Sequence, residues 1–337
     1  MIQSPRMDRE LRCFYRFQPL VPPGFFLSPR NDGVLTTILL YNTLMTNLTP
    51  SIIYEDASIL VINKPSGLVV NRADTVREKT TVMDWLESAG RFVEIQKGTT
   101  PNRGSPFLPT SEFEMRVGVV HRLDKGTSGV MVIAKTKEAF ENLQKQFKER
   151  SVQKEYLALV HGNYYKLIKS ERLDNSDTSD TSDLSFIVDA PIGRNPKNRM
   201  KWAVVEGGRN AVTEFEILGV IPAKAGIQKL HNMDPSAGAG MTFTLLRCIP
   251  KTGRTHQIRV HLAAVNCPVV CDKLYLSRKD YKSDSKWCPR IFLHAEKIGF
   301  KHPGSGEDVA FEAELSEELK DLISKLKCQM SKPCVKF

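Results

Sequence analysis

The strongest constraint on the fold is a series of short apolar runs of strand length, each closed by glycine, proline or a polar cluster, with helical patterns set among them. Ile59 to Ile62 is a continuous apolar run ended by Pro65 and Gly67, the pattern of a buried strand entering a turn. Val130 to Ile133 is a second such run. The residues after it predict a helix, with Thr136 as N-cap, Glu138 in the first turn and Phe140, Leu143 and Phe147 at helical spacing. Tyr156 to Val160 alternates with the period of a strand and stops at Gly162, while Val212 to Leu218 and Thr242 to Ile249 are further strand candidates. Ser316, Glu317 and Glu318 open a closing amphipathic helix with Leu319, Leu322, Ile323 and Leu326 on one stripe.

The chain of 337 residues is 41% hydrophobic and 26% charged, so it has the apolar material for a core and is no disordered polymer. At about 150 residues per domain, that length allows one large domain or two ordinary ones. The formal net charge of +10 favours an anionic partner, nucleic acid first among them, although charge speaks to association and not to fold. Val34 to Met45 is interrupted by polar residues and is shorter than the ~20 residues a spanning helix needs. No basic segment precedes it and no small-residue cleavage pattern follows, so neither an anchor nor export is expected. The 7 cysteines are odd in number and contain no C-x-x-C pair, which suits free thiols in a reducing cytoplasm. A zinc site from Cys267, Cys271, Cys288 and His294 is the sharp alternative, but Cys267 and Cys271 lie on an apolar run where buried thiols are ordinary core residues.

Residues 1–47 show no sustained period and read as an extension, with Met45 a candidate functional start. The acidic tract 174–183 has nothing to bury and is expected to be a mobile surface loop. Residues 222–241 are rich in Gly, Ala and Pro and lie between two strands that could pair directly. They read as an insertion at a hairpin tip, and their wording resembles translated dispersed palindromic repeats.

Two polar clusters stand out. In His121-Arg122-Leu123-Asp124-Lys125-Gly126-Thr127-Ser128-Gly129, an extended run from Val119 to Asp124 would put Arg122 and Asp124 on one face with Leu123 opposite, ahead of a tight turn. A loop with a capping Asp and a solvated Arg explains that segment equally well. In the second cluster, Thr252 to His261, Gly253 and Thr255 suggest a turn and an N-cap, and Ile258, Leu262 and Val265 a buried stripe. Arg259 beside that stripe would be costly without a carboxylate partner, and the first cluster supplies one. His256 and His261 form no H-E-x-x-H pair, so core or supporting roles are expected of them. No phosphate-cradling or dinucleotide glycine motif follows a strand, and neither ATP nor NAD is implied. A serine hydrolase using Ser128 is disfavoured because no G-x-S-x-G elbow surrounds it.

HRLDKGTSGVMVIAKT at 121–136, with VINKPSGLVVN at 61–71, KEYLALVHG at 154–162, TGRTHQIRVH at 252–261 and LHAEKIGFKHP at 293–303, resembles the RluA-type RNA pseudouridine synthases, motif by motif and in order. The resemblance covers about residues 50–325 apart from the two inserts. It implies an α+β fold: a mixed, mostly antiparallel sheet flanked by helices with a central RNA-binding cleft, in one catalytic domain at 48–330. The implied activity is isomerisation of uridine in ribosomal or transfer RNA without cofactor or metal, by a cytoplasmic protein expected to be a monomer. By resemblance Asp124 is the catalytic aspartate, Arg259 its ion-pair partner and Tyr156 the tyrosine stacked on the uracil. Arg122 holds the target nucleotide out of its helix, and Thr127, Arg254 and His256 complete the substrate-binding set. Lys64 and Pro65 match an early K-P motif with a supporting role. The chain departs from the family at Cys271-Asp272, where Gly-Asp is usual. That turn is expected to be stiffer without touching the catalytic set. It also shows no recognisable version of the small N-terminal RNA-binding module that many relatives carry. A non-catalytic RNA-binding protein on the same fold is the alternative, and its signature would be loss of the Asp, Arg or Tyr.

Overall fold

The structure is a computed structural model that describes residues 48–72, 80–89, 111–162, 185–221 and 242–327. The extension at 1–47, the acidic tract and the insertion at 222–241 lie outside those residues. Strands β1 (Ser51–Glu55), β2 (Ile59–Lys64), β3 (Ser128–Ala134), β4 (Gln153–His161), β5 (Ser185–Asp189), β8 (Val212–Ile221), β9 (Phe243–Pro250) and β10 (Leu293–Lys301) form one sheet in the order β1-β2-β3-β10-β4-β9-β8-β5. A further strand, β11 (Asp308–Glu312), pairs with the second half of β10. The β3–β10 pair is parallel and the other described pairs are antiparallel, as the resemblance implied. Strands β6 (Ile192–Arg194) and β7 (Trp202–Val204) make a separate two-stranded hairpin.

The apolar runs read from sequence are the centre of this sheet. Every residue of β3 is buried, which explains why its sequence is continuously apolar and does not alternate. Helix α3 (Lys137–Glu149) follows it, with the Thr136 hydroxyl accepting from the Ala139 amide at its N-terminus. It buries Phe140 and Leu143 against β2 and β3, together with α1 (Val82–Ser88) and α2 (Glu112–Arg116). On the other half, α4 (Gln257–Ala264) packs Ile258 and Leu262 onto β4, β8 and β9. Helix α6 (Glu317–Lys327) covers a third group of apolar side chains with Leu319, Leu322 and Ile323, and α5 (Arg278–Asp284) lies on the chain leading to β10. Tyr156 of β4 packs against the cores of both halves and so marks their seam.

One local expectation changes. The N-cap of α4 is His256 and not Thr255. His256 takes a left-handed backbone (φ 56°) and offers no side-chain cap, and Gln257 satisfies the turn instead. Its Oε1 accepts from the Thr252 hydroxyl at 2.6 Å and from the Arg254 amide at 2.9 Å. Among the described residues no helix is long and apolar enough to cross a membrane, and no group of His, Cys, Asp or Glu is arranged to hold a metal.

Candidate active site

Asp124 ends an irregular extended segment that is tied to β3 by the Val119–Ile133 bridge. The alternation expected from Val119 to Asp124 holds at its end, where Leu123 is buried and Arg122 is exposed. The turn beyond it is closed by the Thr127 amide on the Asp124 carbonyl at 3.1 Å, and Ser128 already belongs to β3. Gly129 is required there. Its φ is +121°, and a Cβ would lie 2.1 Å from the Ala295 carbonyl oxygen on β10.

The Asp124 turn is clasped from behind by the loop after β2. The Lys64 ammonium, fully buried, donates to the carbonyls of Pro65 and Leu68 at 2.8 and 2.9 Å and reaches that of Lys125 at 3.4 Å. The Ser66 hydroxyl donates to the Gly126 carbonyl at 2.7 Å, and the Gly67 amide to the Lys125 carbonyl at 2.7 Å. Burial and the Arg290 charge push Lys64 down to about 7, with Asp124 acting in the opposite direction.

Helix α4 delivers Arg259, and the pairing anticipated between the two clusters forms. Arg259 Nη1 donates to Asp124 Oδ2 at 2.9 Å. Its Nε and Nη2 donate to the two oxygens of Asp272 at 2.7 and 2.8 Å. Asp272 is fully buried and also accepts from the amides of Leu274 and Tyr275 at 2.9 and 3.3 Å. This corrects the expectation that Cys271-Asp272 leaves the catalytic set untouched. Cys271 takes the left-handed backbone (φ 59°) that turns the chain, and the next residue clamps the arginine. Burial opposes the Arg259 charge, but the hydrogen bonds and charges of Asp272 and Asp124 together outweigh it and move the guanidinium pKa up. The same guanidinium lies over the Tyr275 ring, 5.1 Å from its centroid.

Tyr275 links this triad to His256. The Trp202 amide donates to the Tyr275 hydroxyl at 3.2 Å, which leaves the phenolic hydrogen for His256 Nδ1 at 3.0 Å. When the Tyr275 hydroxyl donates to Nδ1, the proton of a neutral His256 ring is on Nε2, which faces Asp124 Oδ2 at 3.8 Å. Burial lowers the His256 pKa against the pull of Asp124, consistent with a neutral ring.

Two cavities, of about 580 and 700 Å³, share Arg122, Leu123, Asp124, Thr127, His256 and Arg259, so Asp124 sits at the neck between them. Each is in the ~300–1,000 Å³ range of small-ligand sites. Tyr156 and Arg254 line the first, and burial together with the Asp124 charge pushes the Tyr156 phenol up. The candidate residues Asp124, Arg259, Tyr156, Arg122, Thr127, Arg254 and His256 therefore converge on one cleft. Thr127 is nearly inaccessible in its floor, and Arg254 is partly engaged, its Nε donating to the Asn210 carbonyl at 3.1 Å. Sequence reasoning missed Asp272 and Tyr275.

Ser128 does touch a histidine, His294 Nδ1 at 2.8 Å, but both are buried and neither lines either of these two cavities. Arg290 Nη2 donates to the same hydroxyl at 2.9 Å and His294 Nε2 faces the Ala313 carbonyl at 2.9 Å, a closed structural relay and not a hydrolase pair. His261 is likewise a core residue, held between the Thr213 hydroxyl and the Ala190 carbonyl.

Comparison with known proteins gives the family of the chain. Residues 58–264 match the family described as RNA pseudouridylate synthase. The Bacillus subtilis RNA pseudouridine synthase YlyB is 34% identical over 278 residues, 82% of this chain and 72% of that protein. Ribosomal large subunit pseudouridine synthase D of Xanthomonas campestris is 35% identical over 285 residues, 82% of this chain and 69% of its own length. For the Neisseria meningitidis protein of that name the figures are 33% over 285 residues, 82% and 61%, so the match spans less than two thirds of that relative's length. In fold it is similar to human RNA Pseudouridylate Synthase Domain Containing 4, with TM-score 0.54, 23% identity and coverage of 88% of this chain and 99% of that one. Human RNA Pseudouridylate Synthase Domain Containing 1 gives TM-score 0.51 at 22% identity, covering 86% and 98%. With the family matched over residues 58–264, more than half of the chain, and relatives above 30% identity along most of the chain, the protein belongs to the RNA pseudouridylate synthase family, isomerases that act on RNA.

Proposed function

We propose that this chain converts specific uridines of large-subunit ribosomal RNA to pseudouridine, with Asp124 as the acting carboxylate. The observation that carries the reading is the Asp124–Arg259 pair at the neck of a cleft that is walled by Tyr156 and open on both sides. The ribosomal substrate is favoured because several relatives are named for it. The reaction breaks the N1–C1′ bond, turns the detached uracil and joins C5 to C1′. The proton on C5 is lost and N1 gains one, so nothing is oxidised or reduced. A charged carboxylate at the sugar is the group such a reaction needs, and Arg259, itself anchored by Asp272, holds it there in one orientation.

Tyr156 supplies a ring for the base. Arg122, exposed beside Asp124, fills the space the flipped nucleotide leaves, which offsets an unstacking cost of a few kcal/mol. His256 Nε2–H and Arg254 offer donors to the nucleotide, and Thr127 shapes the floor. Residues 48–330 are the catalytic domain and 1–47 an extension to it. One chain carries every group of the site, so the reading needs no second subunit. The described cysteines Cys248, Cys267, Cys271 and Cys288 are free thiols, which supports a cytoplasmic setting.

The test is pseudouridine mapping of ribosomal RNA from cells with and without the gene, repeated with Asp124→Asn. The deletion should remove a defined site and the Asn variant should fail to restore it, while RNA binding stays within about threefold because phosphate contacts dominate affinity. Restoration by the Asn variant, with deamidation excluded by mass, would reject Asp124.

A further inference from the structure

The β6–β7 hairpin stands outside the main sheet, and of its residues the site described so far uses only the Trp202 amide. From Ile192 to Val204 it reads IGRNPKNRMKWAV, with four cations and no carboxylate. Its turn is internally fixed. Asn195 Oδ1 accepts from the amides of Lys197 and Asn198 at 2.9 and 3.1 Å, and Asn198 Oδ1 from that of Met200 at 3.1 Å. The Arg194 guanidinium lies 4.4 Å from the Trp202 ring centroid and donates to the Arg199 carbonyl at 3.0 Å. At the tip Met200 is 79% exposed, between Arg199 and Lys201.

The turn end of the hairpin is linked to the cleft wall through Tyr275 and His256. Trp202 packs with Ile192, Val260 of α4 and Tyr275, and its amide holds the Tyr275 hydroxyl that faces His256. Met200 is two residues from Trp202, about 7 Å of extended chain at most, and Trp202 is two hydrogen bonds from His256, which lines the Asp124 cleft, so the tip is within reach of RNA flanking a nucleotide held there. A single exposed Met or a few surface lysines would mean little. A hydrogen-bonded turn that presents an exposed thioether between cations, with no acid from Ile192 to Val204 and a link through Tyr275 to His256, has the chemistry of a nucleic-acid wedge.

We propose that this hairpin is a docking arm for the RNA strand flanking the target uridine, with Met200 packed on a base face and Lys197, Arg199 and Lys201 against phosphates. The proposal rests on the reading that the substrate is a uridine within RNA. The test compares the full chain with Met200→Ala, Met200→Leu and the triple variant Lys197→Gln, Arg199→Gln, Lys201→Gln. Binding is read by anisotropy of a short fluorescein-labelled RNA stem-loop across a salt series, and turnover on an unmodified ribosomal RNA transcript. The triple variant should weaken binding about tenfold or more and reduce the slope of log affinity against log salt by about 2, at ~0.7 per phosphate contact on a single strand. Met200→Ala should raise KM about fivefold with the slope and kcat unchanged, and Met200→Leu should restore it. The same charge loss at Lys301, Lys320 and Lys325 serves as control. Equal effects of the two triple variants, or a silent Met200→Ala, would overturn the arm. Binding is measured apart from turnover, so a wild-type chain that binds the stem-loop and makes no pseudouridine would reject the activity reading while the arm is judged on its own data.

Discussion

The proposed reaction needs a carboxylate held still at a sugar carbon, and the hold on Asp124 comes from two residues away, through Arg259 from Asp272. Asp124 touches Arg259 through one nitrogen, whereas Asp272 takes two, so the position of the guanidinium is set by Asp272 and only then passed to Asp124. Asn at 272 would keep the shape but replace one acceptor with an NH₂ group facing the guanidinium. Breaking a buried pair of this kind costs about 3–5 kcal/mol, so Asp272→Asn should lower the melting temperature by several degrees and turnover by roughly 100-fold or more. Thermal melts and single-turnover kinetics check this together, and an Asn variant with near-normal turnover would show that Arg259 is held by something else. The pair itself was legible in sequence, because an arginine beside the Ile258 stripe demands an acid and the HRLD segment offers one. The clamp was not. Asp272 reaches Arg259 through a turn made by a left-handed cysteine, and nothing in the local pattern marks such a turn when glycine is absent.

Elements with a strong period were legible and short or special ones were not. Strands β2, β3, β4, β8 and β9 and helices α3 and α6 all follow from apolar spacing, because each buries a face long enough to show its repeat. Strands β6 and β7, three residues each, are too short to carry one. The parallel β3–β10 contact brings together residues far apart in the chain, and His294 sits in it with both ring nitrogens occupied inside the core. Burial pushes His294 down to about 4, the Ala313 carbonyl opposing. The folded state therefore keeps this ring neutral while the unfolded chain protonates it near 6.5, so its stability contribution is intact above pH 6.5 and falls away from there to about pH 4, by up to ~3 kcal/mol. Urea melts between pH 7 and pH 4 should show that loss in the wild type and a flatter profile in His294→Gln, and parallel profiles would reject it. At the far end of the sheet Ile221 and Phe243 are paired directly, so residues 222–241 join strands that need only a tight connection. Replacing 222–241 by Asn-Gly leaves a three-residue loop with Thr242, whose carbonyl accepts from Gly162, and fold and turnover should both survive. A folded but inactive product would mean that the insert contacts RNA.

For the whole molecule, the question is how much of the chain the fold requires. The buried clusters of both halves, the Asp124 cleft and the hairpin that abuts it are all built from residues within 48–327, and the family match at 58–264 falls inside that span. Compactness of this region rests on inner strands β2, β3 and β9 that are almost wholly buried, and among the described residues the large exposed apolar side chains are scattered along the chain. The exposed apolar side chains of β1, Ile52 and Tyr54, lie on an edge strand, and Tyr54 already has Phe311 5.0 Å away and the Asp56 carboxylate as partner. A chain of residues 48–330 should therefore express as a folded protein, melt within about 3 °C of the full chain and turn over unmodified ribosomal RNA transcript within about twofold of it. Calorimetry and the transcript assay measure the two halves of that statement. Aggregation of the shorter chain would assign residues 1–47 to folding, whereas a folded protein with raised KM and unchanged kcat would make them a second RNA contact beside the hairpin arm.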